Sequence, residues 1–171
     1  MAYIISLTAS GIYTALRAYL KNVLDLDDNK IQRAYIDNIC QPFPYPFVFV
    51  TVLGTKRTST NVNTYDGVES NSISAGYILD VQLDFYGQDS IDLAHIVKNL
   101  FRDEFSVNYF TTTGLIPLYA DDIMMTGSED EKGNWQVRNT LTLHFNINPL
   151  LTVSQEYFEE LEIKVENTTK K

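Results

Sequence analysis

Two stretches of this chain alternate apolar and polar residues over lengths that only a β-strand can use. In "YILDVQLDFYG", Tyr77, Leu79, Val81, Leu83 and Phe85 share one parity, while Asp80, Gln82 and Asp84 share the other. In "NWQVRNTLTLHFNIN", Trp135, Val137, Leu141, Leu143, Phe145 and Ile147 alternate with Gln136, Arg138, Thr140, Thr142, His144 and Asn146. A period of two sends successive side chains to opposite faces, so each stretch predicts a strand with one buried and one wet face. Such strands are most often antiparallel. A third strand is expected at "FVFVTVLG", Phe47 to Gly54, from its β-branched and aromatic content.

Two other stretches carry the helical period. After Ser10, a candidate cap, Ile12, Ala15, Leu16, Tyr19, Leu20, Val23 and Leu24 recur at the spacing of one helix face, and Asp25 to Asp28 form an acidic stop. Asp89 or Ser90 caps a second helix with Leu93, Ile96, Val97, Leu100 and Phe101 on its apolar side, and His95 beside that stripe. The Leu16/Leu20 and Val97/Phe101 faces are expected to cover the same side of the sheet, against Leu79, Val81 and Leu83.

Between these elements the chain is less regular. Lys30 to Gln41 is ambiguous between helix and irregular chain, and Pro42, Pro44 and Pro46 force an extended approach to the third strand. Thr55 to Ala75 is polar, fitting a long strand end or a projecting hairpin. The acidic "SEDEKGN", closing on Gly133-Asn134, has turn chemistry. After Pro149 runs an acidic arm without an evident core face. The order α, β, β, α, β, β and tail predicts the α+β class: one domain over 1–149 with a mostly antiparallel sheet, helices on one face and long polar loops, then a C-terminal arm over 150–171.

Charge and cysteine content narrow the function. Thirteen Lys and Arg against 22 Asp and Glu give a net charge of −9, with no basic run longer than Lys56-Arg57 or Lys170-Lys171. That disfavours a nucleic-acid grip, which needs a basic stripe to neutralise phosphates. The single cysteine, Cys40, reads as a small buried hydrophobe; it can form no intrachain disulfide, and no Cys/His cluster offers a zinc site. "MAYIISLTAS" lacks the basic start of a signal peptide, and no apolar run reaches the ~20 residues of a membrane helix. Folding in a cytoplasm is expected.

One tetrapeptide points elsewhere. Tyr119-Ala120-Asp121-Asp122 is the motif with which reverse transcriptases hold catalytic magnesium. A two-metal site needs a further carboxylate from another strand and a basic nucleotide channel, and this sequence supplies neither signal. The pair follows what reads as a loop, "TTTGLIPLYA", and opens a strand through "IMM", so a solvent-facing acidic pair is expected rather than a metal site. No Gly-x-Ser-x-Gly elbow surrounds a serine, and the glycines at 54, 67, 76 and 87 are too scattered for a phosphate-cradling loop. No catalytic residue, cofactor or metal ligand is assigned.

Taken together, "PYPFVFVTVLG", "YILDVQLDFYG", the helix "IDLAHIVKNLFRDEF", "GLIPLYADD" and "NWQVRNTLTLHFNI" resemble tailed-bacteriophage neck and tail-terminator proteins over about Phe43 to Pro149. The shared landmarks are packing patterns, including the aromatic-Gly strand end at Tyr86-Gly87. The resemblance implies a non-enzymatic virion protein, assembled in the host cytoplasm. It would form a ring, typically a hexamer, on the tail tube, stop tube growth and meet head-completion or connector proteins. DNA would pass through without tight binding, which the negative charge suits. Interface candidates are Lys56, Arg57, Tyr65, Glu129, Asp130, Glu131, Tyr157 and Phe158, and candidate channel-lining residues are Asp80 and Asp84. The alternatives are a head-completion or minor tail protein of the same particle, or a degenerate nucleotide-binding or polymerase-like enzyme.

Overall fold

The structure, a computed structural model, describes residues 3–34, 45–65, 70–129 and 135–154. In chain order the elements are β1 (Tyr3–Ile5), α1 (Ala9–Leu24), a 3₁₀ turn (Asp28–Lys30), β2 (Ile31–Arg33), β3 (Phe47–Arg57), β4 (Val62–Tyr65), β5 (Ser70–Ser74) and β6 (Tyr77–Tyr86). There follow α2 (Ser90–Phe101), α3 (Glu104–Phe110), β7 (Leu115–Ala120), β8 (Met124–Met125), β9 (Ser128–Glu129), β10 (Trp135–Gln136), β11 (Arg138–Ile147) and β12 (Leu150–Ser154).

The two alternating stretches become β6 and β11, the antiparallel centre of a sheet ordered β2-β3-β6-β11-β7, with β8 also on β11. Their register sets Leu79 opposite Phe145, Val81 opposite Leu143 and Leu83 opposite Leu141. These side chains are at most 1% exposed and face the helices. The two helix faces meet them as expected: Leu16, Tyr19, Leu20, Val97, Phe101 and Phe110 lie in the same core cluster as Leu79, Val81 and Leu83. The fold is α+β, with mostly antiparallel pairing; β2 runs parallel to β3.

Hydrogen bonds fix how the helices sit. Tyr19 Oη lies 2.6 Å from Ser106 Oγ, which donates to the Leu100 carbonyl at 2.6 Å, so one polar chain joins α1, α2 and α3. Asn139 Nδ2 donates to Ser90 Oγ at 2.8 Å, tying the start of α2 to β11. Beside the irregularity between Val52 and Gly54 in β3, the Val52 N–H donates to the Tyr13 hydroxyl at 3.0 Å, tying α1 to the sheet. Gly87 follows β6 at φ +116°, a backbone conformation that L side chains rarely adopt, so the turn there favours glycine.

Several local expectations need correction. Thr8, not Ser10, caps α1, its side chain accepting from the Gly11 N–H. Ile96 is 42% exposed, because α2 buries Ser90, Ala94, Val97 and Phe101, a stripe rotated from the one the apolar count suggested. "LIPLYA", expected as loop, is strand β7, and Asp121-Asp122 link it to β8 rather than opening a strand. Trp135, 77% exposed, leaves the core pattern because β10 pairs with β9 and not with the central sheet; Val137, between β10 and β11, is exposed as well. Cys40, the Lys30–Gln41 segment beyond residue 34, and the Gly133-Asn134 turn lie outside the described residues.

The polar stretches form a second sheet. Within Thr55 to Ala75, β4 and β5 make the projecting hairpin; β5 pairs with β12 and β12 with β1, giving the order β1-β12-β5-β4. The boundary expected at residue 150 falls inside this sheet, because Leu150–Ser154 is a strand of it. Residues 155–171 lie outside the described residues.

Candidate functional site

Three places bring together the residues singled out by the sequence. The first is the helix-free face of the main sheet, where register aligns Arg138 with Tyr86, Thr140 with Asp84 and His144 with Asp80. Near one end, Tyr45, Phe47 and Tyr86 stack with centroid separations of 5.5 and 4.6 Å, and Phe49 closes edge-on against Phe47 and Tyr86. These rings and the Arg138 arm cover Asp84, which is only 4% exposed. Its Oδ1 accepts from Arg138 Nη2 and Thr140 Oγ1, each at 2.9 Å, and Gln82 Nε2 donates to the carboxylate at 3.0 Å. The period correctly placed Asp84 away from the helices, but large neighbours bury it there. At that burial Asp84 presents little surface with which to line a channel. Asp80 is more open, with 37% of its side chain exposed.

The second place is the Tyr-Ala-Asp-Asp segment. His144 stands between two carboxylates: Nδ1 is 2.6 Å from Asp80 Oδ1, and Nε2 is 3.2 Å from Asp121 Oδ2. The second contact is close enough for an ion pair but is not aligned as a hydrogen bond, leaving Nε2 without such a partner. Tyr119 stacks on the His144 ring with centroids 4.2 Å apart. Asp122 turns the other way, to Lys98 of α2, at 2.7 Å. That hydrogen bond, with the lysine charge behind it, holds the Asp122 carboxyl below its usual range. The two carboxylates thus diverge to different partners, His144 and Lys98, rather than converging on one point. Among the described residues no group of three or more His, Cys, Asp or Glu side chains is arranged to hold a metal ion.

The third place is the second sheet. Lys56 and Arg57 end β3 exposed, next to the hairpin. Arg57 bridges the approach to β4, donating from Nε to the Ser59 carbonyl at 2.7 Å and from Nη2 to the Asn61 side chain. Tyr65, at the tip of β4, is 63% exposed, and so are Val62 at 59% and Ile4 at 68%. Glu129 lies apart from this sheet, exposed at the end of β9, while Asp130, Glu131, Tyr157 and Phe158 fall outside the described residues. Sequence reading missed the joining of β1, β12 and the hairpin, since three to five residues per strand carry too short a pattern to register.

No helix of the described residues is long and apolar enough to cross a membrane. Comparison with curated proteins gives no match. The family model described as phage neck terminator protein matches residues 10–169, nearly the whole chain.

Proposed function

We propose that this chain, which belongs to the phage neck terminator protein family, closes the top of a phage tail tube as a ring, ends tube growth and joins the tail to the head-connector proteins. Family membership makes it a structural protein of the phage neck; ring, hexamer and tube termination are the further steps of this reading. One observation carries those steps. No described side chain of the second sheet is fully buried, although a sheet normally hides at least one face against another layer. A sheet built from β1, β12 and a hairpin, with no covering layer among the described residues, suits contact with other subunits.

In this reading Lys56, Arg57 and Tyr65 lie at or near the subunit or tube contacts, with Glu129 as a further candidate, and Asp80 among the lumen residues. A net charge of −9 would keep passing DNA from adhering to the walls. The protein acts without catalysis. The test is electron microscopy of particles made without this chain. Over-long tails without heads, together with rings of the purified protein, are expected. Tails of normal length joined to heads would overturn the reading.

A further inference from the structure

The two sheets treat their edges differently. The outer strand β7 of the main sheet carries Pro117 and faces a register irregularity at His144/Phe145, both of which discourage a further strand. The outer strands of the second sheet, β1 (Tyr3–Ile5) and β4 (Val62–Tyr65), contain no proline and no charged residue. Among the described residues no strand pairs with the free side of either. Both edges also present exposed apolar side chains, Ile4 and Ile5 on β1 and Val62 and Tyr65 on β4. Bare edges of this kind are templates for another strand.

Direction then selects the partner. Each neighbour in β1-β12-β5-β4 is antiparallel to the next, so β1 and β4 run in opposite senses. A second copy set alongside in the same orientation therefore meets β4 with an antiparallel β1. Two-fold pairing of like edges would also be antiparallel, but it stops at a dimer and leaves the other edge of each copy bare. Head-to-tail pairing repeated around a closed ring leaves none. We propose that β4 of one subunit pairs with β1 of the next, continuing the second sheet from subunit to subunit. The occupant of each edge is thus another copy of this chain. The inference rests on the ring reading above and gives it a specific junction.

Cysteine cross-linking of the full-length chain, with Cys40→Ser as background, tests it. Ile4→Cys is combined with Asn63→Cys in one variant and with Thr64→Cys in another. Adjacent residues of a strand face opposite sides, so one pair suits whichever face Ile4 shares. Within one subunit β1 and β4 are three strand spacings apart, about 14 Å, well beyond the roughly 7 Å Cα limit of a disulfide. Every bond between these positions is then between subunits. The expected result is an oxidation ladder that ends at the ring size. A second readout is Val62→Lys with Ile4→Lys, which should raise the concentration needed for assembly about tenfold or more and leave the monomer's melting temperature unchanged. Cross-links formed equally by the single-cysteine variants, or a chain that stays monomeric and uncross-linked at its highest soluble concentration, would overturn the junction. Rings that still cap tubes with both lysines in place would overturn it too, while leaving the function standing. A ladder closing at ring size, in a protein whose loss does not lengthen tails, would support the junction and remove the function.

Discussion

The main sheet and the second sheet are made from the same kinds of strand, yet only one is buried. In the main sheet β6 and β11 run ten residues each, long enough for alternation to build an apolar face that three helices cover. In the second sheet the strands run three to five residues, and no described side chain there is buried. The first sheet carries the core of the fold; the second joins it through β3 and β6. Long alternating strands build an apolar face for helices to cover, whereas pairing of short strands builds a sheet without one. Substitutions in the two sheets should therefore be read by different instruments, folding for the first and assembly for the second.

The largest expected contrast is Phe145→Ala against Val62→Ala. Phe145 is fully buried and packs edge-on to Phe101 and Phe110 at 4.9 and 5.3 Å. Its truncation should cost about 3–5 kcal/mol of monomer stability in denaturant. Val62→Ala should stay within about 0.5 kcal/mol, as an exposed substitution does. Equal losses would break the distinction between the sheets.

Next in size is Asp84→Ala, which tests whether the helix-free face of the main sheet also stabilises the fold. The carboxylate is buried and accepts from Arg138, Gln82 and Thr140. Its loss should cost about 1–3 kcal/mol, measured by denaturant titration at neutral pH. No measurable change would mean that this face behaves like the second sheet, as a surface kept for contact.

How much of this contrast could be read from residues alone follows from strand length. The helix-facing residues of β6 and β11 were legible because ten positions of period two leave no other reading. Ile96 and Trp135 misled for two different reasons: Ile96 sits mid-helix beside the stripe that α2 buries, and Trp135 extends the apolar count ahead of the start of β11. The second sheet was not legible, because its short strands gain meaning only from partners far away in the chain, β12 for Tyr3–Ile5 and both β1 and β5 for Leu150–Ser154. The Tyr-Ala-Asp-Asp segment was legible as a solvent-facing pair, but its partners were not, since Lys98 and His144 come from other elements.

A smaller effect should follow from Tyr19→Phe. The hydroxyl is buried against Ser106, and burial raises its pKa above the usual value, with the hydrogen bond opposing. Ser106 keeps its bond to the Leu100 carbonyl, so the substitution should cost about 0.5–1.5 kcal/mol. The pH dependence has a definite sign. A raised folded-state pKa gives stability that is complete below the unfolded tyrosine value, about 10, and is lost as pH rises through the folded value. Alkaline denaturation should therefore be less steep in Tyr19→Phe than in the parent. Identical alkaline limbs would mean that this hydroxyl does not titrate with unfolding.

The smallest expected effect belongs to Asp122, and it bears on the motif that first suggested catalysis. Its side chain is almost wholly exposed, and Lys98 at 2.7 Å lowers its pKa, the hydrogen bond first and the charge second. A depressed carboxylate contributes stability above the unfolded pKa and loses it as pH falls through the folded one. Solvent screening makes that contribution slight for a pair this exposed. The shift should still be visible by NMR of the carboxyl carbon: Asp122 should titrate below the ordinary aspartate range and return to that range in Lys98→Met. Added magnesium should leave its titration unmoved, because the neighbouring Asp121 points to His144 and not to a shared site. A saturable magnesium shift that Asp121→Asn abolishes would show the two carboxylates acting together, and the exposed end of β7 would then be a metal site rather than two carboxylates with separate partners.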